Sequence, residues 1–353
     1  MPKFADAWLA VTSQASQAFS LHCNIWEVEN ITKRIAHYVI LLCAMILLNF
    51  FFPRLMPGSP ITRIASEDAT GDVTEEQRAR LIEFYNLDKP LGEQFLMFLK
   101  NTVTLDWGMS YSKKQPITDL LKSALPWTLL LAGCNLVFST LIGTALGTMA
   151  ALRRKKQKDI KHMILLMLLG TLPSFWIGMI LISIFSVQLG WFPLYGAYSL
   201  WENKEGIAYV LDVMRHLALP VATMVLVSLT IFSTTSRYGV LNTLKQDYIM
   251  LAEMRGIPGR RVKVNYIVRN ALIPVFTVFM TELGFVLSGS VLIESIFSYP
   301  GIGKMLRDAV TARDYPLMQY AFLVTSIMVV FTAFLADVLR RKIDPAMVAS
   351  HEK

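Results

Sequence analysis

Residues Tyr248–Pro274 read YIMLAEMRGIPGRRVKVNYIVRNALIP. The stretch is basic and helix-compatible, and Gly256-Ile257-Pro258-Gly259 divides it into two short amphipathic pieces. Apolar segments pin it on both sides, Leu217–Ser233 before it and Leu272–Ile293 after it. A helix needs about 20 mostly apolar residues to cross the hydrocarbon core of a bilayer. Four further runs have that character: Ile35–Phe52, Trp127–Leu152, Met163–Val187 and Met318–Leu335. The pattern predicts an all-α polytopic membrane protein with six transmembrane helices. Composition agrees, because 54% of the 353 residues are apolar and 17% charged, against about 25% charged in soluble domains.

A net charge of +8 raises the question of nucleic acid, and the distribution of charge answers it. With the N-terminus inside, the short inner segments hold 20 of the 34 Lys and Arg residues, six of them in Arg153–Lys161 and seven in Arg237–Arg269. The remainder are diluted over longer stretches that also carry most of the acids; residues 53–126 contain nine basic and ten acidic side chains. Such asymmetry is the positive-inside pattern. It predicts both termini in the cytoplasm, a lipid bilayer as the surrounding medium, and no nucleic-acid partner. Cys23, Cys43 and Cys134 have no paired spacing, so neither a disulfide nor a metal site is expected. The run from Ile35 is too long and too far from the N-terminus for a cleavable signal peptide.

Outside the spans, residues 1–30 form an extension in which Phe4, Trp8, Val11, Ala15 and Phe19 make one apolar helical stripe. It reads as an interfacial helix, a helix packed on the spans, or an extension without a role. Residues 53–126 read as a small external helical cap, opened by the turn Met56-Pro57-Gly58-Ser59-Pro60. A capped helix is predicted over Thr74–Tyr85, with Thr74 and Gln77 placed as a capping box, and a second periodic run over Leu91–Leu99. Trp191, Phe192, Tyr195, Tyr198 and Trp201 suit a membrane–water interface. Gly143, Gly147, Gly284 and Gly289 allow close helix approach.

Chemistry is not signalled. Gly301-Ile302-Gly303-Lys304 fails as a phosphate loop, since Ser298 stands where its first glycine belongs and Met305 where Ser or Thr would bind the metal. There is no His-Glu-x-x-His pair and no Gly-x-Ser-x-Gly turn. The reading is a chain that is not an enzyme and has no catalytic residue, metal or cofactor of its own. Glu282 lies within the predicted fifth span, where an ionisable group costs about 2.5–3.5 kcal/mol on insertion scales. It either lines a translocation path, where it favours a cationic group, or sits at a helix–helix contact.

These landmarks, in this order, resemble the permease subunits of bacterial ABC importers for dipeptides, oligopeptides and nickel. The resemblance rests on Met56–Pro60, Leu87-Asp88-Lys89-Pro90-Leu91, Asp106-Trp107-Gly108 with Ser110, and Leu125-Pro126-Trp127-Thr128-Leu129. It continues through Leu189–Pro193, His216–Pro220, Glu294–Gly303, Arg313-Asp314-Tyr315-Pro316 and Asp344-Pro345, covering residues 31–346 before a short tail at 347–353. It implies a type I importer permease of the cytoplasmic (inner) membrane. This subunit would pair with a second, homologous permease, two ABC ATPases that hold ATP and Mg, and an extracytoplasmic peptide-binding protein. Peptide is the implied solute, nickel or another small solute the alternative. A membrane enzyme or an assembly factor is the reading from a different class.

The resemblance makes 237–271 the cytoplasmic loop that receives the ATPase, with Asp247, Tyr248, Ala252, Glu253, Gly256, Arg260, Arg261, Asn270 and Pro274 as its site residues. Met250-Leu251-Ala252 stand where the family consensus has Glu-Ala-Ala. Glu282 and Ser288 are implied for the path. Asp106, Trp107, Glu294, Phe297, Pro300, Gly301 and Asp314 are implied for external binding-protein or gate loops. On the residues alone, a helix over Gln246–Arg255 is predicted to form a rigid knob, followed by a second piece, Arg261–Asn270, that leads to Pro274 at the start of span five. Force on that knob would reach spans four and five.

Overall fold

The computed structural model describes residues 35–55, 88–152, 158–199, 201–202, 204–285 and 290–343. It separates into two units, Met1–Leu48 and Asn49–Lys353. In the first unit the described part is helical from Ile35 to Leu48, and that helix, α1, runs on to Leu55. The expected helix Thr74–Tyr85, the turn at Met56–Pro60, Ser288, Gly289, and the segments 1–30 and 347–353 lie outside the described residues.

All regular elements described are helices: α2 (Leu91–Thr104), α3 (Ile117–Leu152), α4 (Lys158–Thr171), α5 (Ser174–Leu181, continued by π-helical turns over Ile182–Gln188) and α6 (Gly206–Thr243). They continue as α7 (Asp247–Met254), α8 (Gly259–Arg261, π turns over Val262–Val268, and Arg269–Phe285), α9 (Val291–Ile296), α10 (Ile302–Ala312) and α11 (Tyr315–Ile343). Among the described residues, five helices are long and apolar enough to cross a membrane: Ile35–Leu55, Ile117–Leu152, Gly206–Thr243, Gly259–Leu283 and Tyr315–Leu339. Counted as one span, the broken pair Met163–Thr171 and Ser174–Gln188, bent by 100°, makes a sixth candidate crossing. The single run expected over Met163–Val187 is therefore corrected to two pieces. Pro173 is the physical reason, because it disfavours helical backbone at Leu172 and restarts the chain as the cap of α5.

Other boundaries move in the same way. Span two begins ten residues before Trp127, at Ile117, and carries Pro126 inside the helix. Arg261–Asn270 is not a separate piece: it is continuous with span five, and Pro274 lies inside α8 rather than at its start. Proline is tolerated within such helices where neighbouring helices support the opened backbone. Here Ala271 and Pro274 press against Gly239 of α6, where an added Cβ would stand 2.8 Å from the Ala271 carbonyl oxygen and 3.1 Å from Pro274 Cγ.

At the centre, α3 packs along α6, with α8 and α11 beside them and α4 against α6. A Cβ on Gly147 of α3 would strike the Ser233 carbonyl of α6, and one on Gly143 would stand 2.7 Å from Phe232 Cβ. Hydroxyls seal the contact: Thr148 Oγ1 lies 2.8 Å from Ser236 Oγ, which donates to the Thr144 carbonyl at 3.0 Å. The core beside it gathers Leu131, Leu217, Met224, Leu229, Ile293, Phe297 and Tyr299. With about 1.5 Å of rise per residue, α3 holds its two ends far enough apart to serve opposite surfaces of a bilayer core about 30 Å thick.

Candidate functional site

At the C-terminal end of α3 the chain builds a knob. Ile249 and Ala252 of α7 are buried with Ala151 of α3, Val240 of α6, and Val262, Ile267 and Ala271 of α8. The opposite face of α7 is open: Tyr248, Met250, Leu251 and Met254 are exposed, Met254 at 76%. Asp247, Glu253, Arg260, Arg261 and Asn270 are exposed around it, as are Arg255 and Lys263.

Local chemistry makes this knob stiff. Gly256 takes φ +71°, a left-handed conformation that costs other residues. Its N–H donates to the Glu253 carbonyl at 2.9 Å, and the Ile257 N–H donates to the Ala252 carbonyl at 3.3 Å. That pair of bonds is a Schellman closure, with Ile257 packed into the same apolar cluster as Ala252. Pro258 follows and starts α8. Asn270 Nδ2 donates to Tyr248 Oη and to the Tyr266 carbonyl, both at 2.9 Å, tying α7 to α8. The open apolar face therefore sits on a fixed base, the arrangement expected of a docking surface.

At the other end two buried acids organise the loops. Glu294 has 0% exposure. Its Oε1 accepts from Thr128 Oγ1 at 2.9 Å and its Oε2 from the Lys304 N–H at 3.0 Å. Thr128 Oγ1 in turn accepts from the Ile302 N–H at 2.8 Å. A helix leaves its first N–H groups unpaired and carries a positive partial charge there. Glu294 and Thr128 supply, from α9 and α3, the cap that Gly301 cannot give to α10. Gly301 lies so close to both groups that any side chain there would collide with them. Burial pushes the Glu294 carboxyl above its ordinary range, while the Lys304 N–H, Ser290, Thr128 and the Gly303 N–H pull the other way.

Asp314, also 0% exposed, caps α11. Its Oδ1 accepts from the Leu317 N–H at 3.2 Å. Its Oδ2 accepts from Ser110 Oγ at 2.5 Å and from the N–H and Oγ of Ser112 at 3.0 and 2.9 Å, clamping the loop after Trp107. Trp107 stacks on Tyr320 of α11 at 5.1 Å. Phe297 is buried, and its carbonyl accepts from the Gly196 N–H at 2.9 Å. Of the seven residues expected in external loops, Asp106 and Pro300 have open side chains, while Glu294 and Asp314 act from inside as anchors. Glu282 lies half-buried on α8. Thr128, Ser110 and Ser112 were not singled out as site residues from sequence; Thr128 and Ser110 were visible only as members of quoted motifs.

Residues 143–349 match the family described as binding-protein-dependent transport system inner membrane component. The chain is similar to the di/tripeptide transport system permease protein DppB of Pseudomonas aeruginosa (strain UCBPP-PA14), at 34% identity over 88% of this chain and 95% of that protein. It is also similar to the glutathione transport system permease protein GsiC of Escherichia coli (strain K12), at 32% identity over 90% of this chain and 98% of that one. A solved structure of an amino acid ABC transporter with histidines aligns with 64% of this chain and 94% of its own, at a TM-score of 0.47 and 15% identity.

Proposed function

We infer the function from one premise: this chain belongs to the family of binding-protein-dependent transport system inner membrane components. It is a permease subunit of an ABC importer, a multi-span component of the inner membrane that performs no catalysis itself. Such systems combine it with a second permease, ATPases that hydrolyse ATP, and a binding protein. On our reading the solute is a short peptide. One observation carries this: the two relatives named above, matched over nearly their whole lengths, are named for di/tripeptides and for glutathione, itself a tripeptide. The partners that follow are a homologous permease, two ATPase subunits and an extracytoplasmic peptide-binding protein.

Roles for the two ends follow from the same reading. The α7 knob is the cytoplasmic docking surface for an ATPase. Tyr248 and Glu253 stand at its face, Ala252 and Gly256 in its base, Asp247 at its start, Arg260 and Arg261 at its rim, and Asn270 and Pro274 carry it into α8. Its exposed Met250, Leu251 and Met254 favour a groove-shaped apolar partner. The opposite end faces the binding protein, with Asp106 and Pro300 outermost and Trp107, Phe297, Gly301, Glu294 and Asp314 fixing the loops behind them. Glu282 and Ser288 are assigned to the path.

Uptake of labelled di- and tripeptides by cells lacking this chain, and by the same cells with it restored, tests the reading. Peptide uptake should fall with deletion and return on restoration, while nickel uptake stays level. Unchanged peptide uptake, or loss of nickel uptake alone, overturns it.

A further inference from the structure

A cavity of about 330 Å³ opens at the end of the bundle opposite the knob, between the end of α1, α2, the loop after Trp107 and the start of α11. We propose that it is a binding site for the carboxylate of a small organic acid, of dipeptide size or less, with Arg54, Gln319 and Trp107 as its donors. The inference holds for carboxylates as a class and does not depend on the transported solute being a peptide.

Among the described residues, Arg54 carries the one formal charge in the lining, and no carboxylate lines the cavity with it. Its guanidinium is held in advance of any ligand. Nη1 donates to the Phe50 carbonyl at 2.6 Å, Nε and Nη2 donate to Gln94 Oε1 at 3.3 and 3.0 Å, and Cζ lies 3.6 Å from the Phe50 ring centre. Gln94 is fixed in turn by donating to the Lys89 carbonyl at 2.9 Å. These partners are neutral, and they leave two of the five guanidinium N–H groups for another acceptor.

Two further donors line the same cavity. Gln319 is 6% exposed, and among the described residues its Nε2 has no hydrogen-bond partner; Trp107 Nε1 is buried and equally without one. Buried donors are normally paired, and an unpaired one asks for an explanation. Two lining the same cavity as a fixed cation ask for an acceptor-only, negatively charged group. A carboxylate is that group, with two oxygens able to take several N–H donors at once. Rings and thioether complete the walls: Phe98, Tyr320 and Met97 offer an apolar surface to the rest of the ligand. A single cation against that wall favours a monoanionic carboxylate over a phosphate dianion. The volume sits at the small end of the range for small-molecule pockets, about 300–1,000 Å³.

The test uses the complete importer in lipid nanodiscs without its binding protein. Calorimetric titration with alanyl-alanine, its C-terminal amide, acetate and inorganic phosphate reads the site directly. Alanyl-alanine and acetate should bind saturably, and the amide and phosphate at least tenfold more weakly than alanyl-alanine. R54Q should weaken alanyl-alanine at least tenfold. Q319L, which removes a donor that has no partner among the described residues, should weaken it several-fold without lowering the thermal midpoint, and W107F should also weaken it several-fold. Equal affinity for acid and amide, phosphate binding as tightly as the acid, unchanged affinity in Q319L and W107F, or no saturable binding of the acid overturns the proposal.

Discussion

Removing the Glu294 carboxylate should open the loop end of the bundle, and the size of the effect can be worked from the bonds it makes. In Glu294→Ala the Lys304 N–H and the Thr128 hydroxyl lose an acceptor at 3.0 and 2.9 Å inside a fully buried site. A buried hydrogen bond contributes about 0.5–1.5 kcal/mol, and a buried donor left without an acceptor costs about 1–3 kcal/mol. The two together, with the void left by the side chain, put the loss at about 3–5 kcal/mol. Glu294→Gln keeps the shape and one acceptor oxygen, which can serve the Lys304 N–H; its amide then faces Thr128 Oγ1, already engaged by the Ile302 N–H. That change should cost about 1–2 kcal/mol. Thr128→Val strands the Ile302 N–H and should cost about 1–3 kcal/mol. Because both variants damage the same bond, the double variant should be less destabilised than the sum, by about 1 kcal/mol or more. Reversible unfolding of the purified chain in mixed micelles, titrated with SDS and followed by pulse proteolysis, gives each value. Strict additivity of Glu294→Gln and Thr128→Val, or a Glu294→Ala variant within about 0.5 kcal/mol of wild type, would refute the cap.

The same carboxyl predicts a pH effect. Its folded pKa is raised above the ordinary value of 4.5, so its contribution to stability is full below that value and declines as pH rises through the raised one; Glu294→Gln should flatten this decline, and an unchanged slope would contradict it. On α3, a Cβ added at Gly133 would stand in open space, while one added at Gly147 meets the Ser233 backbone. Alanine at either place gains about 1 kcal/mol in helix propensity, so G133A should be neutral or stabilising and G147A destabilised by about 1–3 kcal/mol from overpacking; equal midpoints for the two would show that α3 and α6 are not in that contact. At the knob, a Cβ on Gly256 meets nothing within 4 Å, and its cost is the left-handed φ, about 1–2 kcal/mol. Gly256→Trp should therefore reach the membrane in normal amount, with ATP hydrolysis by the complex persisting while uptake is lost; normal uptake would remove the docking role.

The long helices were legible because a bilayer demands runs of apolar residues, and those runs survive any error at their ends. The knob was legible because Gly256 and Pro258 are strong local punctuation, and the predicted Gln246–Arg255 helix is found as Asp247–Met254. Boundaries were harder wherever helix and hydrocarbon part company. Ile117–Leu125 is helical but carries Asp119 and Lys122, so hydropathy ends the span before the helix ends. Arg261–Asn270 is too basic to sit in lipid and too well packed on Ala151 and Ile249 to unwind. The acids show the deeper limit. Glu294 and Asp314 stood in recognisable motifs, yet their work as caps depends on Thr128 and Ser110, 166 and 204 residues away. No local pattern announces a partner at that distance.

Those long-range caps bear on how the two ends communicate. The knob's base is shared by α3, α6 and α8 through Ala151, Val240 and Val262. The loop end is fixed to α3 through Thr128, 23 positions earlier on the same helix, a separation of about 35 Å along its axis. A force on α7 therefore meets one rigid helix, α3, that is anchored at both ends. It also meets α8, joined to α7 at the knob and leading in sequence to α9, which carries Glu294. If α8 moves relative to α3, the strain falls where the chain after α8 is pinned back to α3, at the Thr128–Glu294 bond. That bond is then either a latch that holds through the cycle or one that parts in one of its states. Uptake that falls in step with the thermal midpoint across Glu294→Gln, Thr128→Val and the double variant makes the bond a fixed support, and uptake that changes independently of the midpoint makes it a moving part.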